Sequence, residues 1–168
     1  MSGCIKIFNY KNAPVYVHWT ILLVMLFFVN KPDPFITIPF GLIGFFIIML
    51  THEMGHAFFV HFYGYKVDHI VLSAMNGQCV YEYDQYKPKK LLISAGGIIF
   101  QLILMLLWFV FYSCIPEFET GSFSRIIATL NKLLIFMNLL IIIVNLIPKK
   151  GLDGYDIFQI LLRKFINK

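Results

Sequence analysis

An apolar run over residues 38–63 is interrupted in its second half by one carboxylate and two imidazoles. These side chains belong to a His-Glu-Met-Gly-His pentad at residues 52–56. An ionisable side chain at the centre of a membrane-spanning helix costs roughly 2.5–3.5 kcal/mol on insertion scales, so such groups usually pair, bind a metal or take part in chemistry. The rest of the chain therefore has to complete a polar site inside an apolar environment.

The composition indicates an integral membrane protein. Hydrophobic residues make up 59% of the 168 residues and charged residues 14%, against about 45–50% and about 25% in soluble domains. The net charge of +5 could suggest nucleic-acid binding, but most Lys and Arg residues lie near the ends of apolar runs, as membrane topology requires. We therefore expect a lipid bilayer and no nucleic acid as partner. The three cysteines have no C-x-x-C spacing, which argues against a disulfide framework or a thiolate metal site.

The predicted fold is an all-α polytopic membrane protein of a single domain, residues 1–168. About four transmembrane helices are expected, over residues 15–29, 38–63, 91–112 and 125–147. Residues 155–168 are too few to span a bilayer and have the pattern of an interfacial helix. Two apolar segments, 67–72 and 78–83, flank Asn76-Gly77, which predicts a small β-hairpin between the second and third helices.

The distribution of basic residues predicts the orientation. With the N-terminus in the cytoplasm, only Lys31, Arg125 and Lys132 of the 14 Lys and Arg residues fall on or beside the outer segments. Because cytoplasmic segments carry the excess of positive charge, we expect four spans with both termini in the cytoplasm. The protein is then a multi-pass component of a cell membrane, and a bacterial one is the expectation.

The pentad has the spacing of a zinc site. His52 and His56 are four residues apart, so both face the same side of a helix and can coordinate one Zn²⁺. Glu53 projects from an adjacent direction, which suits a general base acting on a water molecule activated by the metal. Such a short motif also occurs by chance. Its position in a membrane span, where each polar residue is penalised, favours the metal site over chance.

A catalytic zinc usually has three protein ligands and one open position. His61 lies too far round the helix to share the site easily, and His69 is in the predicted hairpin with no pattern around it. Asp153 is the better candidate, since the second and fourth spans would end on the same side of the membrane. By spacing alone, Asp153 is equally well explained as a helix cap for the segment that follows.

Three asparagines, Asn131, Asn138 and Asn145, recur at intervals of seven and therefore line one face of the fourth span. Hydrogen bonding between helices is the interpretation we favour for Asn131 and Asn138. Asn145 lies beside the predicted site, where it could instead donate a hydrogen bond to the oxyanion of a tetrahedral intermediate.

The pentad, together with Asn-Leu-Ile-Pro at residues 145–148 and Leu-Asp-Gly at 152–154, resembles the site-2 protease family of intramembrane zinc metalloproteases. The resemblance implies that Asp153 is the third ligand of one Zn²⁺, that Glu53 is the general base and that Asn145 lies near the catalytic centre. Residues 95–97, Ala-Gly-Gly, stand where the family has Ala-Gly-Pro, and Phe100 stands where many members have Asn. The chain is too short for the PDZ or CBS domain that members often carry.

The resemblance implies a zinc-dependent endopeptidase that cleaves in or near transmembrane segments of other membrane proteins. The expected partners are therefore a membrane-protein or membrane-embedded peptide substrate, with a regulatory membrane partner as an open addition. The hairpin either caps the helices or holds an unwound substrate as an added strand. The alternative function is a membrane metal-binding scaffold or metal transporter without hydrolysis, because buried ionisable residues also mark ion paths.

Overall fold

The computed structural model describes residues 2–31, 33–74, 77–82, 87–115 and 121–166. Four strands and five α-helices occur in this part of the chain, with a 3₁₀ helix over Trp19–Phe27 and a π-helical turn over Lys132–Met137. The strands are β1 (Cys4–Tyr10), β2 (Ala13–His18), β3 (Val67–Leu72) and β4 (Gln78–Tyr81). The α-helices are α1 (Pro34–Phe62), α2 (Lys87–Ser113), α3 (Ser122–Asn131), α4 (Asn138–Asn145) and α5 (Asp153–Ile166).

Within the described residues, three helical segments are long and apolar enough to cross a membrane: Pro34–Phe62, Lys89–Ser113 and Ser122–Asn145. The last of these runs through α3, the π-helical turn and α4. They correspond to the predicted second, third and fourth spans. The apolar runs therefore located these helices, and the ends differ from the predicted ones by only a few residues.

The prediction of a first spanning helix over residues 15–29 was wrong. Its start belongs to β2, and the remainder is the 3₁₀ helix. Ile21 and Val24 of that helix are buried against Phe45 and Met49 of α1. A 3₁₀ helix rises about 2.0 Å per residue, against 1.5 Å in an α-helix, so this nine-residue segment covers about 18 Å, less than half the length of the 29-residue α1. Its apolar character serves packing against α1 rather than a separate α-helical span.

The expectation of an all-α fold also needs correction, because the strands form one four-stranded sheet in the order β1-β2-β3-β4. β1 pairs with β2 and β3 with β4 in antiparallel fashion, while β2 and β3 are parallel. A parallel pair needs a long crossover, and here the crossover contains the 3₁₀ helix and α1. β3 has the predicted bounds. The predicted turn residue Asn76, and Tyr83 at the end of the predicted second strand, lie outside the described residues.

Two glycines allow α1 and α2 to approach each other closely. A methyl group at Gly55 would collide with the carbonyl group of Gly96, and one at Gly96 would come within 2.6 Å of the carbonyl oxygen of Gly55. Small residues at a helix interface permit such a close approach of two backbones. The contact fixes α2 directly beside the turn of α1 that carries the pentad.

The chain after α4 folds back toward α2. α5 begins at Asp153, two residues earlier than predicted, and Lys90 of α2 donates a hydrogen bond of 2.8 Å to the carboxylate of Asp156. A Cβ atom at Gly154 would collide with the carbonyl group of Leu146. The return of the chain is therefore tight, and it places the start of α5 next to α1 and α2.

Candidate metal centre

His52 and His56 project from α1 toward the same point. Their Nε2 atoms are 3.1 Å apart, and the two rings meet edge to face with centroids 4.7 Å apart. Both residues are buried. The predicted pairing of side chains at positions i and i+4 is therefore present, and it places two nitrogen ligands one helical turn apart.

The other ring nitrogen of each histidine is held by α2. His52 Nδ1 lies 2.9 Å from Oε1 of Gln101, and His56 Nδ1 lies 2.7 Å from the carbonyl oxygen of Ile93. Because these oxygens are acceptors, both Nδ1 atoms carry the proton and donate it. In the neutral imidazoles, the Nε2 atoms then present their lone pairs to each other, which is the usual arrangement of metal-binding histidines.

Asp153 completes the cluster from the start of α5. One carboxylate oxygen, Oδ2, lies 3.2 Å from Nε2 of His52, and the other, Oδ1, lies 3.4 Å from Nε2 of His56. Burial alone would raise the pKa of Asp153, but hydrogen bonds and positive charge from the two imidazoles, when these are protonated in the absence of metal, outweigh it and hold the pKa well below its usual range. The carboxylate is therefore ionised, and it faces the histidines, as a third ligand should.

The chemistry of these three side chains fits a metal ion. One donor atom from each of His52, His56 and Asp153 lies within 4.8 Å of the others. Oδ2 of Asp153 is buried and has no hydrogen-bond partner in the described part of the chain, despite its proximity to His52. Two imidazole lone pairs and a carboxylate that converge without a shared proton are stabilised by a cation, and two nitrogens with one oxygen suit Zn²⁺ with a fourth position left open.

Glu53 lies beside this cluster and is 2% exposed. It lines a cavity of about 430 Å³ that the three proposed ligands also line. The polypeptide backbone of Gly77, just before β4, passes so close that a Cβ atom there would collide with Oε1 of Glu53. The predicted general base therefore faces the site, with the sheet packed against it.

The cavity extends from the metal ligands to the end of α4. Asn145, the predicted auxiliary donor, lines it and is partly exposed. The neighbouring wall of the cavity is lined by apolar side chains of the same helix: Leu140, Ile141 and Val144. The cavity thus has a polar end with the candidate catalytic groups and an apolar side.

Two contributions of α2 were not predicted. A Cβ atom at Gly97 would lie 2.5 Å from Cε1 of His52 and 2.6 Å from Nε2 of His56, so only glycine fits against the rings. Gln101 is fully buried and bonds to His52. The signal for Gln101 was available, because an amide in the middle of an apolar span has a cost that a specific partner usually offsets.

The remaining histidines lie outside the cluster. His18 Nδ1 is 2.8 Å from the hydroxyl of Thr20, and His61 Nδ1 donates to the carbonyl oxygen of Ala57 at 2.8 Å. His69 pairs with Asp68 at 2.6 Å. These local hydrogen bonds lie outside the group formed by His52, His56 and Asp153. 

The cysteines are free. Cys79 lines the cavity, where burial and then the charge of Glu53 raise the pKa of its thiol, so it stays protonated and is a poor metal ligand.

The polar face of the last spanning segment bonds to α2. Trp108 Nε1 donates to Oδ1 of Asn131 at 3.0 Å, and Nδ2 of Asn138 donates to the carbonyl oxygen of Gln101 at 3.0 Å. The interhelical role predicted for Asn131 and Asn138 is therefore confirmed. The second bond ends on the residue that bonds to His52.

Comparisons with known proteins agree with this architecture. The family model described as Peptidase M50B-like matches residues 18–148. Among solved structures, the fold is similar to a site-2 protease from Methanocaldococcus jannaschii, with a TM-score of 0.66 and 21% sequence identity over 96% of this chain and 72% of that one. No curated protein sequence matches the chain. The family match ends before Asp153, so the position of that carboxylate comes from the fold. The chain belongs to the site-2 protease family of membrane metalloproteases.

Proposed function

We propose that this protein is a zinc-dependent endopeptidase that cleaves peptide bonds in or near the transmembrane segments of other membrane proteins. The convergence of His52, His56 and Asp153 next to a buried glutamate is the observation that carries this proposal. All four groups line one cavity beside helices that are apolar enough to span a bilayer. Hydrolysis inside a membrane requires such an enclosed polar site, because the surrounding lipid supplies neither water nor ionised groups.

In the proposed mechanism His52, His56 and Asp153 hold one Zn²⁺. Bound zinc would supply the Lewis acid that makes a water molecule nucleophilic near neutral pH. Glu53 accepts a proton from the attacking water and then delivers it to the nitrogen of the leaving amine. Asn145 donates a hydrogen bond to the oxyanion of the substrate, which stabilises charge that develops only in the transition state.

The proposed substrate is a membrane-spanning or membrane-embedded segment bound in extended form, because a helical backbone hides its carbonyl groups from a nucleophile. β4 is at the edge of the sheet in the described residues, and Cys79 and Tyr81 of that strand line the cavity. An extended segment can add to such an edge through main-chain hydrogen bonds. Oxidative cross-linking of Gln78→Cys, an exposed position of β4, to single-cysteine substrates, in a variant without the three native cysteines, tests this placement. Cross-links at all substrate positions alike would contradict it.

The proposed location is a cell membrane, with both chain ends and the site near the cytoplasmic side. β2 pairs with β3, which follows α1, so the N-terminal strands and α5 lie near the end of α1 that carries the pentad. At the other end of α1, Asp33 forms an ion pair with Arg125 at the start of α3. This division supports both chain ends lying on the same side of the membrane, and the excess of Lys and Arg residues there is the reason for proposing that this side is cytoplasmic.

The experiment that tests the function is Glu53→Gln, assayed for zinc content and for cleavage of a membrane-embedded substrate in proteoliposomes. We expect zinc to be retained and cleavage to fall by several orders of magnitude, because the amide cannot accept the proton. The matched control is Glu82→Gln, since Glu82 is exposed and outside the cavity. Normal cleavage by the Glu53 variant would refute the mechanism. Zinc flux into the vesicles without proteolysis would favour the alternative of a metal transporter.

A further inference from the structure

Gln101 is a fully buried amide in the middle of α2, surrounded along the chain by apolar residues. Placing an amide in an apolar environment without compensation costs about 1–3 kcal/mol by mutational data. Its Oε1 atom accepts the hydrogen bond from Nδ1 of His52 at 2.9 Å. The burial of this amide is therefore explained by its contact with a candidate metal ligand.

The nitrogen of the same amide group makes no corresponding interaction. Nε2 of Gln101 is buried and has no hydrogen-bond partner within the described residues. If this side chain served only helix packing, an apolar side chain of the same size would pack equally well. It would also avoid the free-energy cost of burying an unpaired N–H donor. The bond to His52 is thus the only polar interaction of this side chain in the described structure, and it uses the acceptor that a metal-binding imidazole requires.

The backbone at Gln101 is fixed by the neighbouring span. Nδ2 of Asn138 donates to the carbonyl oxygen of Gln101 at 3.0 Å, and Asn138 is also fully buried. Asn138 directly follows the π-helical turn over Lys132–Met137. Such turns are rare and often occur at functional sites. Here the turn precedes the residue that ties α4 to α2 behind the metal site.

The two histidines differ in what holds them. The imidazole of His56 donates to a main-chain carbonyl, that of Ile93, whereas the imidazole of His52 depends on a side chain. We propose that Gln101 is the positioning residue of His52, and that it sets the orientation and proton location of this imidazole for binding zinc. The inference rests on the proposed zinc site and adds to it a residue that does not contact the metal.

The test measures the zinc affinity of the whole protein in detergent by competition with a chromogenic chelator. Gln101→Met keeps the length of the side chain and removes the acceptor, and we expect zinc to bind 10- to 100-fold more weakly. Gln101→Glu restores an acceptor, so its affinity should equal or exceed that of the wild type. Asn131→Leu is the matched control, because it removes a hydrogen bond between the same two spans, to Trp108, away from the site.

Cobalt substitution supplies a readout that packing alone would not change. The visible absorption of bound Co²⁺ reports ligand geometry, so it should change in Gln101→Met and remain that of the wild type in Gln101→Glu and Asn131→Leu. Wild-type zinc affinity and an unchanged cobalt spectrum in Gln101→Met would overturn the proposal. If that variant does not fold, Gln101→Asn provides the test, because its shorter side chain keeps the amide but is too short to accept the hydrogen bond from His52. Equal zinc affinity in the Asn variant would overturn it as well.

The controls separate this inference from the proposed function. A wild-type protein that binds no zinc, or whose zinc binding survives His56→Ala, would refute the metal site itself. A wild-type protein that loses zinc on His56→Ala, but not on Gln101→Met, would refute only the role of Gln101.

Discussion

Gly97 contributes to the site by having no side chain, and Gly97→Ala therefore tests the geometry of the ligands. The added Cβ atom would lie 2.6 Å from Nε2 of His56, whereas ordinary contact begins at 3.4 Å, so atoms must move apart by 0.8 Å. The rings cannot yield freely, since the Nδ1 atoms of His52 and His56 are both hydrogen-bonded to α2. Metal–ligand distances tolerate only about 0.2 Å. The substitution must therefore disturb metal coordination, the contact between the helices, or both.

The expected size of the effect follows from the cost of overpacking. Extra methyl groups in a packed interior cost typically 1–3 kcal/mol, which corresponds to about 5- to 150-fold if the whole strain falls on zinc binding. The measurements are the zinc dissociation constant, by chelator competition, and the melting temperature of the protein with and without zinc. We expect a weaker zinc complex and a smaller stabilisation by zinc than in the wild type.

The control for this substitution is Gly44→Ala, another glycine of a spanning helix. Its new Cβ atom would lie 2.9 Å from Cδ1 of Leu133, the end of a flexible side chain that can move aside. Zinc affinity should stay within about twofold of the wild type. A Gly97→Ala protein that binds zinc as tightly as the wild type and melts at the same temperature would refute the reasoning, because the rings would then have room that the structure does not give them.

Further predictions concern the parts around the ligands. Lys90→Met breaks the ion pair with Asp156 that ties α5 to α2. Because both side chains are about a third exposed, we expect less than a fivefold loss of zinc affinity. The double variant Lys90→Asp with Asp156→Lys, which exchanges the two charges, should restore that affinity. Gly77→Ala crowds Glu53 and should lower cleavage while zinc content, measured in the same sample, stays constant. Zinc should dissociate on acidification, because protons and the metal compete for the same imidazole nitrogens, whereas the lowered pKa of Asp153 keeps its carboxylate ionised. Zinc content after dialysis from pH 8 to pH 5 checks this. Removing zinc with a chelator should lower the melting temperature reversibly.

The ligand pair on α1 could be predicted because its geometry is local. Helical periodicity alone places residues four apart on one face, and the structure has His52 and His56 there. Asp153 is far along the chain, so spacing left it as either a ligand or a helix cap. Its position depends on the tight return at Gly154 and on the docking of α5 against α2. Both features are tertiary contacts, and neither produces a repeating pattern of residues that could be recognised in the sequence.

The contributions of α2 depend on how two helices fit together. Gly97 and Gln101 lie one turn apart, and both face the imidazole of His52. Which face of α2 meets α1 is decided by the contact between Gly55 and Gly96. A sequence read one segment at a time identifies small residues and a costly amide, but it does not give the relative rotation and height of the two helices. The departure from the family pattern at Gly97 was therefore visible in the sequence, but the close contact of this residue with the two imidazoles was not.

The N-terminal sheet was missed for a related reason. Residues 15–17 are apolar and are followed, after His18, by the apolar 3₁₀ segment, so hydropathy joined them into one predicted span. Their strand conformation is stabilised by pairing with β3, more than 50 residues later, where Val15 lies opposite Ile70. β1 offered only a brief local signal, since Ile5 and Ile7 flank Lys6 before Phe8 ends the alternation. So short an alternation does not predict a strand reliably, because strand formation depends on packing against neighbouring strands.

The electrostatics of the site explain why these elements have to assemble together. Glu53 is buried and Asp153 is ionised beside it, so two carboxylates share one small cavity with two imidazoles that are already hydrogen-bonded at Nδ1. A divalent cation balances two carboxylate charges, and the benefit is largest where the dielectric constant is low. That balance is reached only when α5 brings Asp153 to α1, and the Nε2 lone pairs are aligned only when α2 holds the rings. Metal binding, the return of the C-terminal helix and the packing of the spans are therefore one linked equilibrium.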